Sequence, residues 1–182
     1  MHLLAFSIRL ISALNTGLGH LFSWFSLGVV LVCFTVVVLR YFFATGYIWM
    51  QDLYVWLNGL MFMGMAGYTL MKDRHVRVDI FYRSARLRTK AWIDLIGFVA
   101  FVLPFVYVII AYSWAFVARS WRFMESSGNI GGLPGLYVVK TFIIVFAVVV
   151  GLQGLAMALR SILVLAGRQH LLPEHLRYDE SR

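Results

Sequence analysis

Few side chains in this sequence are placed to do chemistry. A catalytic nucleophile needs a base within reach, and a metal or haem needs ligands that face one another. No Ser/His/Asp set, metal-spaced cluster or phosphate-binding loop can be read from the 182 residues. The histidines are His2, His20, His75, His170 and His175, and none lies deep in an apolar run. His20 and His75 come nearest to a shared level for axial haem ligation, but solvated interfacial histidines are the simpler reading. Cys33 sits in an apolar run without neighbouring ligands and reads as a small apolar residue. No cofactor, metal or enzymatic activity is expected.

The remaining polar positions point to docking and packing. Asp52 stands between Trp49 and Trp56 where a helix should begin. An acid there can cap backbone N–H groups and is favoured by the helix dipole. Beside two tryptophans it would also make a docking patch for a partner. His75, Arg77 and Asp79 share a face in an extended segment, and His75 and Asp79 remain neighbours in a helix. Arg77 can then bridge to Asp79, to a lipid phosphate or to a partner carboxylate. Ala147, Gly151, Gly154 and Ala158 recur at helical spacing as a stripe that lets another backbone approach closely. It could serve packing within the chain or a partner subunit, with Gln153 adding an interhelical hydrogen bond. Asp94 and Arg160 fall near the ends of apolar runs, where they should reach water.

The elements that must position these residues follow from composition. With 62% apolar and 13% charged residues, the chain is no ordinary soluble fold. Aromatics at 16% exclude disorder. Four runs are long enough to cross a hydrocarbon core as helices: about 21–39, 53–71, 91–118 and 136–159. The expected fold is therefore an all-α integral membrane domain spanning 1–182 with four transmembrane helices. Lys and Arg outnumber Asp and Glu by 16 to 8. No nucleic-acid motif accompanies that excess, which instead marks cytoplasmic loops facing anionic lipid. Twelve of the sixteen basic residues fall on one side if the 72–90 loop and both termini are cytoplasmic; Arg40, Arg119, Arg122 and Lys140 remain outside. Tyr47, Trp49, Trp114, Trp121 and Tyr137 then gather at the outer interface.

The connecting segments are more varied. Residues 1–17 read either as an interfacial amphipathic helix, with Gly17 and Gly19 turning the chain inward, or as an extension of the first span. Residues 72–90 read as a short interfacial helix with a basic wet face, although Val76, Val78 and Ile80 also alternate as a strand would. Pro104 should free a carbonyl and kink the third span. The outer turn 125–135 cannot continue a helix, and Pro134 is expected in the first turn of the fourth span. Residues 167–182 form a cytoplasmic tail. A cleavable leader is not expected, because Arg9 interrupts the first apolar stretch and no small-x-small site follows.

Taken in order, these residues resemble the small membrane subunit of tripartite ATP-independent periplasmic (TRAP) transporters, the DctQ family. The resemblance is carried by Trp49-Met50-Gln51-Asp52, where the family more often has glutamate at the last position, and by the loop His75-Val76-Arg77-Val78-Asp79. Gly131-Gly132-Leu133-Pro134, Lys140 and Leu152-Gln153-Gly154 are similar to a subgroup labelled mannitol/chloroaromatic type. The likeness covers about 21–167. It implies a bacterial inner-membrane scaffold without its own transport site, partnered by a large permease subunit (DctM-like) and a periplasmic substrate-binding protein (DctP-like). Uptake of an organic acid would be driven by a sodium gradient. Two other classes stay open: a cytochrome-like anchor of a respiratory enzyme, which would show a haem spectrum, and a self-contained small transporter.

Overall fold

A computed structural model describes residues 1–72, 85–173 and 176. Helix α1 runs without interruption from His2 to Phe42, followed by α2 (Ile48–Gly64) and α3 (Ala66–Met71). Helix α4 (Leu87–Gly97) continues through a π-helical turn (Phe98–Val102) into α5 (Leu103–Arg122), and α6 covers Leu136–Leu165. A 3₁₀ turn (Gln169–Leu171) follows. Among the described residues there is no strand, only an isolated bridge between Ser126 and Pro134. Most of the expected 72–90 interfacial helix lies outside the described residues, as do His75, Arg77, Asp79 and His175.

Among the described residues, three helical stretches are long and apolar enough to cross a membrane: α1, Leu87–Arg122 and α6. The second expected span divides at Met65 into α2 and α3. The division is slight, because Met65 N–H still donates to Met61 and Thr69 N–H to Met65.

Helix α1 departs from one of the two readings of residues 1–17. At 1.5 Å per residue its 41 residues run about 60 Å, roughly twice a hydrocarbon core. Gly17 and Gly19 do not turn it. Gly19 stays helical, and its missing side chain makes room for the Tyr68 ring of α3. Gly64 accommodates Phe22 in the same manner, and Phe22 meets Phe142 of α6 edge-on at 5.5 Å. The buried face of α1 (Ala5, Ile8, Ser12, Asn15, Gly19 and Phe22) follows a three–four repeat, the seam of one helix laid along others.

Helix α6 is the axis of the bundle and touches α1 through α5. Small residues, among them Ala147, Gly154, Ala156 and Ala158, are buried along it. Its C-terminus closes as a Schellman turn: Gly167 takes a left-handed φ of 70°, Gly167 N–H donates to Val164, and Arg168 N–H to Leu163. The chain then folds back across α1. Arg9 donates to the Leu171 carbonyl at 2.9 Å, while Leu172 and Leu176 pack with Ala5, Ile8 and Leu163.

Pro104 does not end the third expected span. The helix widens just before it: Leu103 N–H reaches back five residues to Phe98, so the turn absorbs the missing donor.

Candidate functional site

Two carboxylates organise the end of the bundle farthest from the chain termini. Helix α2 begins at Ile48 with Tyr47 as its N-cap and no side-chain cap bond, so Asp52 stands a full turn inside the helix rather than at its start. Its side chain turns toward the 123–135 loop. One carboxylate oxygen accepts from Asn129 Nδ2 at 2.9 Å, the other from the Leu133 N–H at 3.1 Å, and the Ser127 hydroxyl donates as well. Asp52 is only 7% exposed. The Ser127 hydroxyl holds its carboxyl below the ordinary range; burial opposes this, and Asn129 and the Leu133 N–H add to the lowering. An acid with these donors can stay ionised while covered.

The loop is built to meet that acid. Ser127 N–H donates to the Leu133 carbonyl at 2.9 Å, closing the loop's neck. A side chain on Gly132 would run into the Asp52 carboxylate and Ser127. Gly135 has φ 102°, a left-handed conformation that glycine adopts without a Cβ clash, and is the N-cap of α6. Pro134 therefore lies before the cap instead of in the first turn. Ile130, at the loop's apex, is 94% exposed.

The second acid is Glu125. Its Oε2 accepts from Ser120 Oγ at 2.6 Å and pairs with Lys140 Nζ at 2.5 Å. The Lys140 ammonium also stands 4.1 Å from the Phe116 ring centroid. Lys140 and then Ser120 hold the Glu125 carboxyl below its ordinary value, against a smaller opposing effect of burial. Beside it, Trp121 Nε1 donates to Thr141 at 2.8 Å and its ring lies 4.6 Å from Tyr137. The end of α5, the loop and the start of α6 are thus tied together.

The expected docking trio lies on one helix. Asp52 points into the loop, Trp49 is 42% exposed beside Tyr47, and Trp56 is half-buried. The stripe on α6 is occupied from within the chain. Gly151 faces Val106, and Gly154 faces Val102 and Phe98, while Ala147 and Ala158 are buried. Gln153 accepts from Asn15 Nδ2 of α1 at 2.9 Å, a pair that is buried on both sides. Asp94 and Arg160 do not simply reach water: they pair at 3.6 Å with side chains 7% and 16% exposed. His20 is exposed beside Tyr68, and no group of three potential metal ligands occurs among the described residues. The Glu125–Lys140 clamp, Asn15 as the partner of Gln153, and the tail packing were not anticipated. A polar residue on the buried repeat of α1 was the available signal for Asn15.

The family model for the DctQ component of tripartite ATP-independent periplasmic transporters matches residues 29–169. The chain belongs to the DctQ family. It is the small permease subunit of a TRAP transporter, a transporter component rather than a member of an enzyme class. Comparison with curated proteins and with solved structures gives no match to either. In this DctQ chain the matched stretch holds both acid clamps and the α6 stripe, whereas Ser12 and Asn15 precede it.

Proposed function

We propose that this DctQ chain braces the large permease subunit and helps to seat the periplasmic substrate-binding protein during sodium-coupled uptake of an organic acid. The observation that carries this reading is the family match across 29–169, since that family works as one part of three. The acid-clamped loop supports the docking role. Asp52 fixes the loop's shape, and the exposed Trp49 and Ile130 offer contact surface on the same end. Apolar side chains such as Trp24, Phe34 and Phe101 stay exposed along the helices, as a chain surrounded by lipid and a membrane partner requires. The His75–Arg77–Asp79 motif is proposed to fix the corner after α3 against the large subunit.

The proposed arrangement is multi-pass in a bacterial inner membrane, with about 53–71 of α2 and α3 forming the remaining crossing and both termini cytoplasmic. The charge bias supports it, with twelve of sixteen basic residues on the inner side. Cysteines placed at Arg86 and Asn129 in a background lacking Cys33 test this orientation. An impermeant thiol reagent should label the Asn129 position in intact cells and miss the Arg86 position. Function is tested in proteoliposomes. Uptake should require this chain, the large subunit, the periplasmic protein and a sodium gradient; uptake by this chain alone would overturn the scaffold reading.

A further inference from the structure

Between α3 and the π turn, with α6 as its floor, lies an open groove of about 600 Å³. Leu70 of α3 forms one wall, and Ala100 and Phe101 of the π turn with Phe105 of α5 form the other. Phe146 and Val150 of α6 lie beneath. Among the described residues every lining side chain is apolar, and that of Ala100 is the smallest. Phe101 and Phe105 are 74% and 48% exposed at the rim. On α6 the charged residues nearest to Val150 are Lys140 and Arg160, each ten positions away. At 1.5 Å per residue each is about 15 Å distant, which puts the groove near the middle of a hydrocarbon core about 30 Å thick.

Water finds no polar partner in such a lining, so hydrocarbon must fill it. Two sources exist at this depth, a partner's membrane helix and a lipid tail. Membrane helices approach one another closely through small residues. The small residues of α6 nearby are already covered from within the chain, Gly151 by Val106 and Gly154 by Val102 and Phe98. Three phenylalanine rings line the groove instead; they hold a helix backbone away yet pack around a thin, flexible chain. The volume also falls within the range of about 300–1,000 Å³ usual for small-molecule sites. We propose that this groove seats one acyl chain of a phospholipid, held in place while lipid elsewhere on the surface exchanges. The seated chain joins α3 to the π turn across α6. The proposal depends on α6 crossing the membrane and not on the docking reading, so either can fail without the other.

The test uses the full chain in nanodiscs of phosphatidylcholine that carries a diazirine at the tip of one acyl chain. Peptide mass spectrometry maps the adducts after illumination. They should concentrate on 100–105 and 146–150 rather than on Tyr107 and Val148, which are exposed near the same level of α5 and α6. Ala100→Phe puts a ring into the groove from its rim and should cut the groove adducts about tenfold, the displacement of about two buried methylenes. The Tyr107 and Val148 adducts should not change. Val150→Phe fills the groove from its floor and serves if Ala100→Phe yields little folded protein. Adducts spread evenly over all apolar residues at this depth, or unchanged in a folded variant, would overturn the proposal and leave ordinary exchanging lipid. Loss of the groove adducts alone when the large permease subunit is added would overturn it in favour of a partner helix.

Discussion

Along α6, helices meet through residues that have almost nothing to offer; at the end farthest from the termini, a loop is held by two residues that offer a full charge. Gly151, Gly154 and Gly67 work by absence, since each lets a neighbouring side chain or backbone enter space a Cβ would take. Asp52 and Glu125 work by presence, each gathering donors separated in sequence. The seam depends on shape and should answer to volume but not to pH. The clamps depend on ionisation and should answer to pH and to loss of charge, with little effect on helix packing.

Gly67→Ala should break the seam hardest. Its Cβ would stand 2.8 Å from the Val149 carbonyl oxygen and against the Asn15 amide, and a backbone carbonyl can yield only if α3 moves from α6. We expect the upper part of the about 1–3 kcal/mol range for overpacking, seen as a lower thermal midpoint in detergent. Gly154→Ala meets Val102 and Phe98 at 2.8 and 2.9 Å, and side chains can shift, so its cost should be smaller. Equal losses at the two sites would show that backbone contact does not govern the seam.

Next comes Asn15→Leu. Removing Nδ2 leaves Gln153 Oε1 buried without its donor, and interhelical pairs of this kind are worth about 0.6–1.7 kcal/mol in membranes. The double-mutant cycle with Gln153→Leu should return a coupling of that size. A coupling indistinguishable from zero would reduce the pair to coincidence of packing.

Asp52→Asn should be milder for the bundle and local in effect. The thermal midpoint should barely move, while protease cleavage between Ser126 and Leu133 should rise because the loop loses its charged acceptor. If cleavage did not change, the glycines and the 127–133 neck would suffice to hold the loop.

The same contrast decides what could be read in advance. The α6 stripe was legible because its four residues repeat on one helix and periodicity reports a face. Its partner was not, since Val102 and Val106 look like any other apolar positions on a lipid-exposed helix. Asp52 was legible as an unusual acid, but its role depends on Asn129 and Leu133, 77 and 81 positions away, and one of those donors is a backbone N–H with no sequence signature. The unbroken α1 was one of two open readings, because glycines often end helices; what sequence could not show is the Tyr68 ring that fills the space Gly19 leaves. The π turn ahead of Pro104 shows the same limit, because a proline announces a missing donor without saying how the backbone will absorb it.

The smallest effect expected is that of acid on the two carboxylate clamps, and its sign follows from their depressed values. Lys140 and Ser120 favour the Glu125 carboxylate, and Ser127, Asn129 and the Leu133 N–H favour that of Asp52. A carboxyl held below its unfolded value stabilises the fold fully above that value and ceases to as pH falls through the lower, folded one. The loop should therefore keep its shape from neutral pH down to the ordinary carboxylate values of 4.5 for Glu125 and 3.8 for Asp52, and loosen only below them. Trp121 sits beside the Glu125 clamp, its ring tilted against Tyr137 and its N–H bonded to Thr141. Emission from a variant retaining Trp121 as its single tryptophan should stay constant through mild acid and shift toward longer wavelength below that range. Glu125→Gln keeps a weaker acceptor but cannot titrate, so its emission should be flat over the same interval. A shift centred near neutral pH, where both acids are ionised, would assign the transition to another group and remove the clamp from the explanation.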